Sequence, residues 1–316
     1  MTVGLEPVGM KPGRALVTGG AGFLGCHLVR RLNADGWDVT VLDDYSSPSP
    51  AAGGLPATIV EGSVMSPPLF GGPFQLICHL ASPASPPRYL LDPVGTLRTA
   101  AEGTRQMLDL AAESGAHFLF TSTSEIYGDP EVHPQVESYP GSVDVAGPRA
   151  CYDEGKRYAE ALIYAYRRSG RHRRSSVVRL FNTYGPGMNP EDGRVVTAFI
   201  SAALAGNPLP IFGDGSQTRS FCYVDDVVDG LMMVVDRQLP GPLNLGNDAE
   251  ISMLELADAL QRLLGQSGRT FLALPDGDPK VRKPDLRAIH EATGWRATTD
   301  LPTGLERTVE YLRDQI

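Results

Sequence analysis

The stretch that most constrains this chain is Thr18-Gly-Gly-Ala-Gly22-Phe-Leu-Gly25. It follows Ala15-Leu-Val-Thr18, a run of β-favouring residues. It opens residues 22–32, where Phe23, Cys26 and Leu28 are among the apolar positions of a helix. The glycines satisfy both GxxGxxG from Gly19 and GxGxxG from Gly20. Without Cβ atoms the chain can turn tightly and bring its backbone up to a pyrophosphate. Gly25 lets the helix pack closely on the sheet, and the helix N-terminus faces the anion. Alone the motif is a weak signal. Between a strand and a helix it stands where a dinucleotide-binding loop must stand.

Residues 38–43 read as a second strand, with Val39, Val41 and Leu42 apolar. Asp43 ends it about 20 residues past the loop, where a carboxylate accepts from adenosine ribose hydroxyls. Asp44 and Tyr45 follow, and no Arg. A 2′-phosphate would meet negative charge there, which favours NAD over NADP. The alternation continues with strands at 57–61, 76–80, 118–122 and 177–181 and a helix at 94–114. Apolar strands alternating with helices predict a parallel sheet covered on both faces. The pattern changes after Asn182. Glycine and proline cluster at Tyr184-Gly-Pro-Gly-Met188, and helices are expected at 195–205, 251–264 and 305–314. Ser252 and Glu255 form a capping-box pattern. Asn244-Leu-Gly246 is expected to return to the main sheet. These pieces suggest a second, smaller domain.

The net charge of −9 argues against nucleic acid, whose partners need a basic surface. It leaves room for an anionic small molecule met by local cations. The basic run Arg167-Arg168-Ser-Gly-Arg171-His-Arg173-Arg174 reads as a solvated helix end. Cys26, Cys78, Cys151 and Cys222 show neither a CxxC pair nor zinc spacing, so no metal is expected and free thiols in a reducing cytoplasm are. No run reaches the roughly 18 apolar residues of a membrane span. Residues 1–14 lack an apolar h-region and read as a short flexible leader. The 35 glycines and 26 prolines mean either many functional loops or a loosely ordered chain.

Two constellations carry chemistry. Tyr152 and Lys156 stand four apart and share a helix face. The cation favours a phenolate and can bring a tyrosine toward neutrality, so that it takes a proton from an alcohol during hydride transfer. Thr121-Ser-Thr-Ser-Glu125 ends the fifth strand, so Thr123, Ser124 and Glu125 point to the crevice at the strand ends. The hydroxyls can hold a sugar. Glu125 can act as a base or orient water.

Longer blocks resemble the UDP-glucuronate decarboxylases (UDP-xylose synthases) of the extended short-chain dehydrogenase/reductase group. They are the glycine loop, Leu80-Ala-Ser-Pro-Ala-Ser-Pro-Pro87, Thr121-Ser-Thr-Ser-Glu-Ile-Tyr-Gly-Asp-Pro130 and Gly147-Pro-Arg-Ala-Cys-Tyr-Asp-Glu-Gly-Lys156. Phe181-Asn-Thr-Tyr-Gly-Pro186, Asp192-Gly-Arg-Val-Val196, Gly215-Ser-Gln-Thr-Arg219 and Arg282-Lys-Pro-Asp285 extend the match toward the last helix. The resemblance implies a Rossmann-type doubly wound parallel α/β sheet, with a smaller, interleaved C-terminal substrate domain. The NAD-binding domain is expected at 1–183 and 221–247, and the nucleotide-sugar domain at 184–220 and 248–316.

The resemblance further implies that Tyr152, Lys156, Thr123, Ser124, Glu125 and Arg282 are catalytic, with Arg282 handling the substrate carboxylate or protonating the sugar. NAD would lie against Gly19, Gly22, Phe23, Leu24, Gly25, Asp43, Leu80, Ser82, Thr99, Tyr152 and Lys156. UDP-glucuronate would meet Ser85, Asn182, Arg194, Val195, Arg219, Tyr223 and Arg282. The related 4,6-dehydratases carry an Asp-Glu pair where this chain has Ser124-Glu125, and the 4-epimerases lack the Glu. A 4,6-dehydratase, a 4-epimerase and a non-catalytic NAD(H)-sensing regulator are the alternatives. The implied partner is a second copy, paired through helices at about 94–114 and 149–168. Four positions depart from the family pattern: Gly187 and Arg98 for Arg and Lys, Ser63 for Asp, and Ala100 within Thr99-Ala-Ala101. All lie around the cofactor or phosphates. A weaker hold on reduced cofactor would release a 4-keto-pentose.

Overall fold

The computed structural model describes residues 9–265, 267–275 and 277–316. Residues 1–8 of the expected leader lie outside the described residues, and its last residue, Arg14, already pairs with Asp38 in the sheet.

The chain alternates as its apolar runs demand. β1 (Arg14–Thr18), α1 (Phe23–Ala34), β2 (Asp38–Asp43), β3 (Thr58–Glu61) and β4 (Leu76–His79) come first. Then come α2 (Pro86–Tyr89), α3 (Pro93–Arg98), α4 (Thr104–Ser114), β5 (His117–Thr123), α5 (Ala150–Ser169) and β6 (Ser175–Leu180). β7 (Thr183–Tyr184), α6 (Val195–Leu204), β8 (Leu209–Phe212), β9 (Thr218–Ser220), β10 (Cys222–Tyr223) and α7 (Val224–Asp236) lead to β11 (Leu243–Leu245). The last part holds β12 (Glu250–Ser252), α8 (Met253–Leu264), β13 (Arg269–Leu272), β14 (Val281–Arg282), α9 (Arg287–Thr293) and α10 (Leu301–Arg313).

Seven strands form one sheet in the order β11-β6-β5-β4-β1-β2-β3, and every pair is parallel. The chain runs outward from β1 to β3, then crosses back to β4 on the other side of β1. That reversal opens a crevice at the carboxyl ends of β1 and β4. Alternate strand residues serve opposite faces. Ala15, Val17 and Cys78 pack with Leu28 and Val29 of α1 and Val227 and Leu231 of α7. Leu16, Ile77 and Phe118 pack with Met107 of α4 and Ile163 of α5. β11 returns to the sheet beside β6, as Asn244-Leu-Gly246 led us to expect.

A second core gathers Tyr184, Phe199, Ile200, Leu209, Leu256, Leu260, Leu305 and Val309. Phe221 and Tyr223 belong to it, whereas Ile289 and Trp295 belong to the main core. The physical grouping therefore crosses the expected divisions at 221 and 248: α9 packs back on β11, and the Trp295 indole donates to the Asp226 carbonyl at 3.0 Å.

Three helix expectations shift. The helix at 94–114 is interrupted by a π-helical turn, Thr99–Gly103. Ala100 is buried there against α5, where a Cβ at Gly155 would come within 3.0 Å of the Ala100 Cβ. Two small residues thus let α5 close on the turn. Ile251 lies in β12 rather than in a helix, and α8 starts after Ser252 with both capping-box bonds formed. The last helix starts a turn earlier than expected, because Asp300 caps it and Pro302 fits its first turn. In the basic run, Arg167 and Arg174 donate to the carbonyls of Pro240 and Gly115 at 2.7 and 2.8 Å.

Candidate active site

The crevice is a cavity of about 1030 Å³ between the two cores. Its floor on one side is the glycine loop. A Cβ on Gly25 would meet the Gly19 carbonyl oxygen at 2.1 Å, and Gly19 itself has φ +70°. Gly22 caps α1 without a side-chain bond, so the first-turn N–H groups have no internal acceptor from the cap. The Asp43 carboxylate braces the loop, accepting from Ala21 N and Tyr45 N, each at 2.9 Å. Burial raises its pKa above the ordinary carboxylate value. Asp43 and Asp44 both line the cavity, which sets two acids where a 2′-phosphate would lie. This cradle, closed to any side chain at Gly25, fits NAD. Leu80, Ser82 and Thr99 line the same space, with Phe23 and Leu24.

α5 carries Tyr152 and Lys156 to the cavity wall. The Tyr152 ring stacks on Tyr89, with centroids 5.0 Å apart and planes 6° off parallel. The Lys156 Nζ lies 5.9 Å from the Tyr152 ring centroid and donates to the Thr121 carbonyl at 2.9 Å. Burial pushes the lysine down to about 8, with Glu160 opposing. Burial also raises the tyrosine, although the Thr123 hydroxyl acts the other way. The approach to neutrality expected from the spacing is therefore not produced by these protein groups. Desolvation of the phenolate exceeds the help it receives.

Glu125 sits in a short 3₁₀ turn after β5, and Arg282 sits on β14. They meet in a bidentate pair, in which Arg282 Nη2 donates to Oε2 at 2.9 Å. Arg149 reaches the same Oε2 at 2.5 Å and also contacts Asp278 at 3.3 Å. Arg219 donates to Asp278 at 2.9 Å. Burial would raise the Glu125 pKa, but Arg282 and Arg149 outweigh it and hold the carboxyl down to about 2. Such a carboxylate is a poor base at neutral pH. Of the two roles expected of Glu125, a base or a residue that orients water, this disfavours the base, and its geometry is that of a clamp on two guanidiniums. Burial, and then Arg282, push Arg219 down to about 10, so it remains a cation at neutrality.

Asp153 adds a titrating group beside this cluster. Burial above all, then Glu125, push it up to about 7, and its Oδ1 has no hydrogen-bond partner among the described residues. A carboxyl raised in the fold costs stability as pH climbs from its ordinary 3.8 through about 7. Asp153→Asn should therefore gain stability relative to the native chain across that window. The gain expected at pH 8 over pH 4 is on the order of 2 kcal/mol in urea titrations. A difference independent of pH would contradict this placement.

Thr123, Ser124, Ser85, Asn182, Arg194, Val195 and Arg219 also line the cavity. Tyr223 does not. It is buried against Tyr184, 5.8 Å between centroids, with the Arg307 guanidinium 5.6 Å over its ring. Packing of β10 against α10 turns it into the second core and away from any ligand. Arg149 and Asp278 were missed. Arg149 had a usable signal, since it stands three residues before Tyr152 at the start of the same helix. Asp278 comes from a loop without a pattern. Among the described residues there is no metal-binding cluster, and no helix is long and apolar enough to cross a membrane.

Residues 15–246 match the model of the NAD dependent epimerase/dehydratase family. UDP-glucuronic acid decarboxylase 1 of Xenopus tropicalis is 45% identical over 310 residues, covering 96% of this chain and 73% of the relative. UDP-glucuronic acid decarboxylase 6 of Arabidopsis thaliana is 46% identical, covering 95% and 89%. Among solved structures, the UDP-glucose 4-epimerase of Thermotoga maritima superposes with a TM-score of 0.86 at 28% identity, covering 96% of this chain and 99% of that one. The chain thus belongs to the NAD dependent epimerase/dehydratase family and, within it, to the UDP-glucuronic acid decarboxylases.

Proposed function

We propose that this chain decarboxylates UDP-glucuronate to UDP-xylose through a C4-keto sugar, using bound NAD. One observation carries the reading: among the described residues, Arg149, Arg219 and Arg282 form their ion pairs with Glu125 and Asp278, in the cavity that Tyr152 and Lys156 also line. The remaining acid beside them among the described residues is Asp153, which burial pushes up to about 7, so the described cluster carries an excess of positive charge. The Nε atoms of Arg149 and Arg282 are buried, with no partner among the described residues. A substrate carboxylate balances that charge, and a neutral hexose does not.

The glycine loop, Asp43, Tyr152 and Lys156 would hold NAD, which when bound would supply a hydride acceptor and donor at C4. The chain does the rest. Thr123 and Ser124 hold sugar hydroxyls, and Tyr152 in its phenolate form, with the Lys156 cation nearby, accepts the proton of the C4 hydroxyl and becomes the neutral phenol. The resulting ketone lies β to the C6 carboxylate. The C5–C6 bond breaks, CO₂ leaves, and the electron pair is held on the C4 oxygen beside Tyr152. Arg282, or water that it orients, delivers a proton to C5. Glu125 keeps Arg282 and Arg149 aimed. Mass analysis of the product from UDP-glucuronate, with and without added NAD, tests the reading. Loss of CO₂ supports it; loss of water or an unchanged mass rejects it in favour of a dehydratase or an epimerase.

We place the protein in the cytoplasm, on its four free, buried cysteines. We also propose a homodimer through α3, α4 and α5, where Val94, Leu97 and Tyr158 are exposed, with Leu91 exposed just before α3. Leu97→Glu with Tyr158→Glu should convert a sedimenting dimer into a monomer. A native chain that sediments as a monomer, or a variant that remains dimeric, would rule out this face.

A further inference from the structure

The family pattern leads one to expect arginine at position 187, and this chain has glycine. Gly187 has φ +89°, and a Cβ there would lie 3.2 Å from Ser49 Oγ and 3.3 Å from Ala51 Cβ. The place of the side chain is taken by another segment. Ser49 follows β2 and is buried. Its Oγ donates to the Gly187 carbonyl at 2.6 Å and accepts from Ala51 N at 3.0 Å. Its own N–H donates to the carbonyl of Ala21, in the glycine loop, at 2.8 Å. One turn into α1, His27 Nε2 bonds the neighbouring Pro186 carbonyl at 2.8 Å, and its Nδ1 faces Asp225 at 3.4 Å.

These contacts tie the Gly-Pro-Gly turn after β7 to the nucleotide side of the sheet at two adjacent carbonyls. Ser49 and Gly187 both line the cavity that contains the glycine loop and Asp43. At this point its wall is continuous from one core to the other.

We propose that Ser49 and His27 form a clasp that retains the dinucleotide, in place of a side chain at position 187. A cofactor seated against the glycine loop and Asp43 leaves on this side only when the clasp opens. Retention matters because the reduced cofactor must stay until C4 is reduced, so the proposal rests on the decarboxylase reading. Gly187 would then mark a different means of holding NAD, rather than a weakened site.

The test is NADH release from the full-length chain, followed by loss of NADH fluorescence after mixing with excess NAD. Ser49→Ala with His27→Gln should release NADH about tenfold faster than the native chain, roughly the combined effect of the two weakened hydrogen bonds. The Ser49→Ala single variant should fall between them. Melting temperature checks that both variants are folded. Equal release rates in folded variants would overturn the clasp. Product mass is read separately. Fast release from the variants, with a native product that has not lost CO₂, would support the clasp and reject the decarboxylase reading.

Discussion

Tyr152→Phe should lower turnover of UDP-glucuronate by about 10³-fold, the usual worth of a positioned proton-transfer group. NADH affinity should change little. The phenyl ring keeps its stacking on Tyr89 at 5.0 Å, and the glycine cradle is untouched. Only the hydroxyl beside Thr123 disappears, and with it the acceptor for the C4 proton. Product formation by mass spectrometry and NADH binding by fluorescence give the two readouts. A variant that keeps a tenth or more of native turnover would contradict the proton-transfer role. No product from either the native chain or the variant, with NADH binding intact in both, would favour a protein that senses the cofactor without chemistry.

The second large effect is on Glu125. In Glu125→Ala, Arg149 and Arg282 lose the carboxylate that they share at 2.5 and 2.9 Å. Buried cations without a counter-charge are costly, and about 3–5 kcal/mol of stability should be lost at neutral pH. Turnover should fall at least 10²-fold, because Arg282 loses its aim. The pH dependence has a definite sign. The Glu125 carboxyl is held at about 2 against an ordinary value of 4.5. Its contribution is complete above about pH 4.5 and is lost as pH falls toward 2, where native and variant chains should converge. Urea titrations at several pH values measure this. A deficit that is equally large at low pH would show that the cost is packing and not charge. Glu125→Gln separates the two further, since it keeps the volume and one acceptor oxygen while removing the charge and turning the other oxygen into a donor.

What could be read from sequence, and what could not, follows from where each signal resides. The glycine loop, Asp43 and the Tyr152–Lys156 pair were legible because each is a spacing within one local element. Glu125 was legible as a residue at a strand end, but its pairing with two arginines was not. The two arginines that fix its charge arrive from a distant helix start and from β14. Tyr223 illustrates the opposite failure. The resemblance implied that it meets the substrate, yet its direction is set by α10, some eighty positions later in the chain. The π turn at Thr99–Gly103 escaped because an apolar pattern near 3.6 residues per turn absorbs a single wide turn. The glycines resolve the ambiguity of a glycine- and proline-rich chain. Gly19 and Gly187 hold positive φ at cavity-lining turns, and Gly25 permits a backbone approach that any Cβ would block.

The most direct measurement is turnover of UDP-glucuronate in D₂O, with the product read by NMR. UDP-xylose with one solvent-derived deuterium at C5, and the original hydrogen retained at C4, is the result expected from C4 oxidation, loss of CO₂, protonation at C5 and return of the same hydride. A C6 sugar that keeps its carboxylate, a product that has lost water, or UDP-xylose without deuterium at C5 would contradict it.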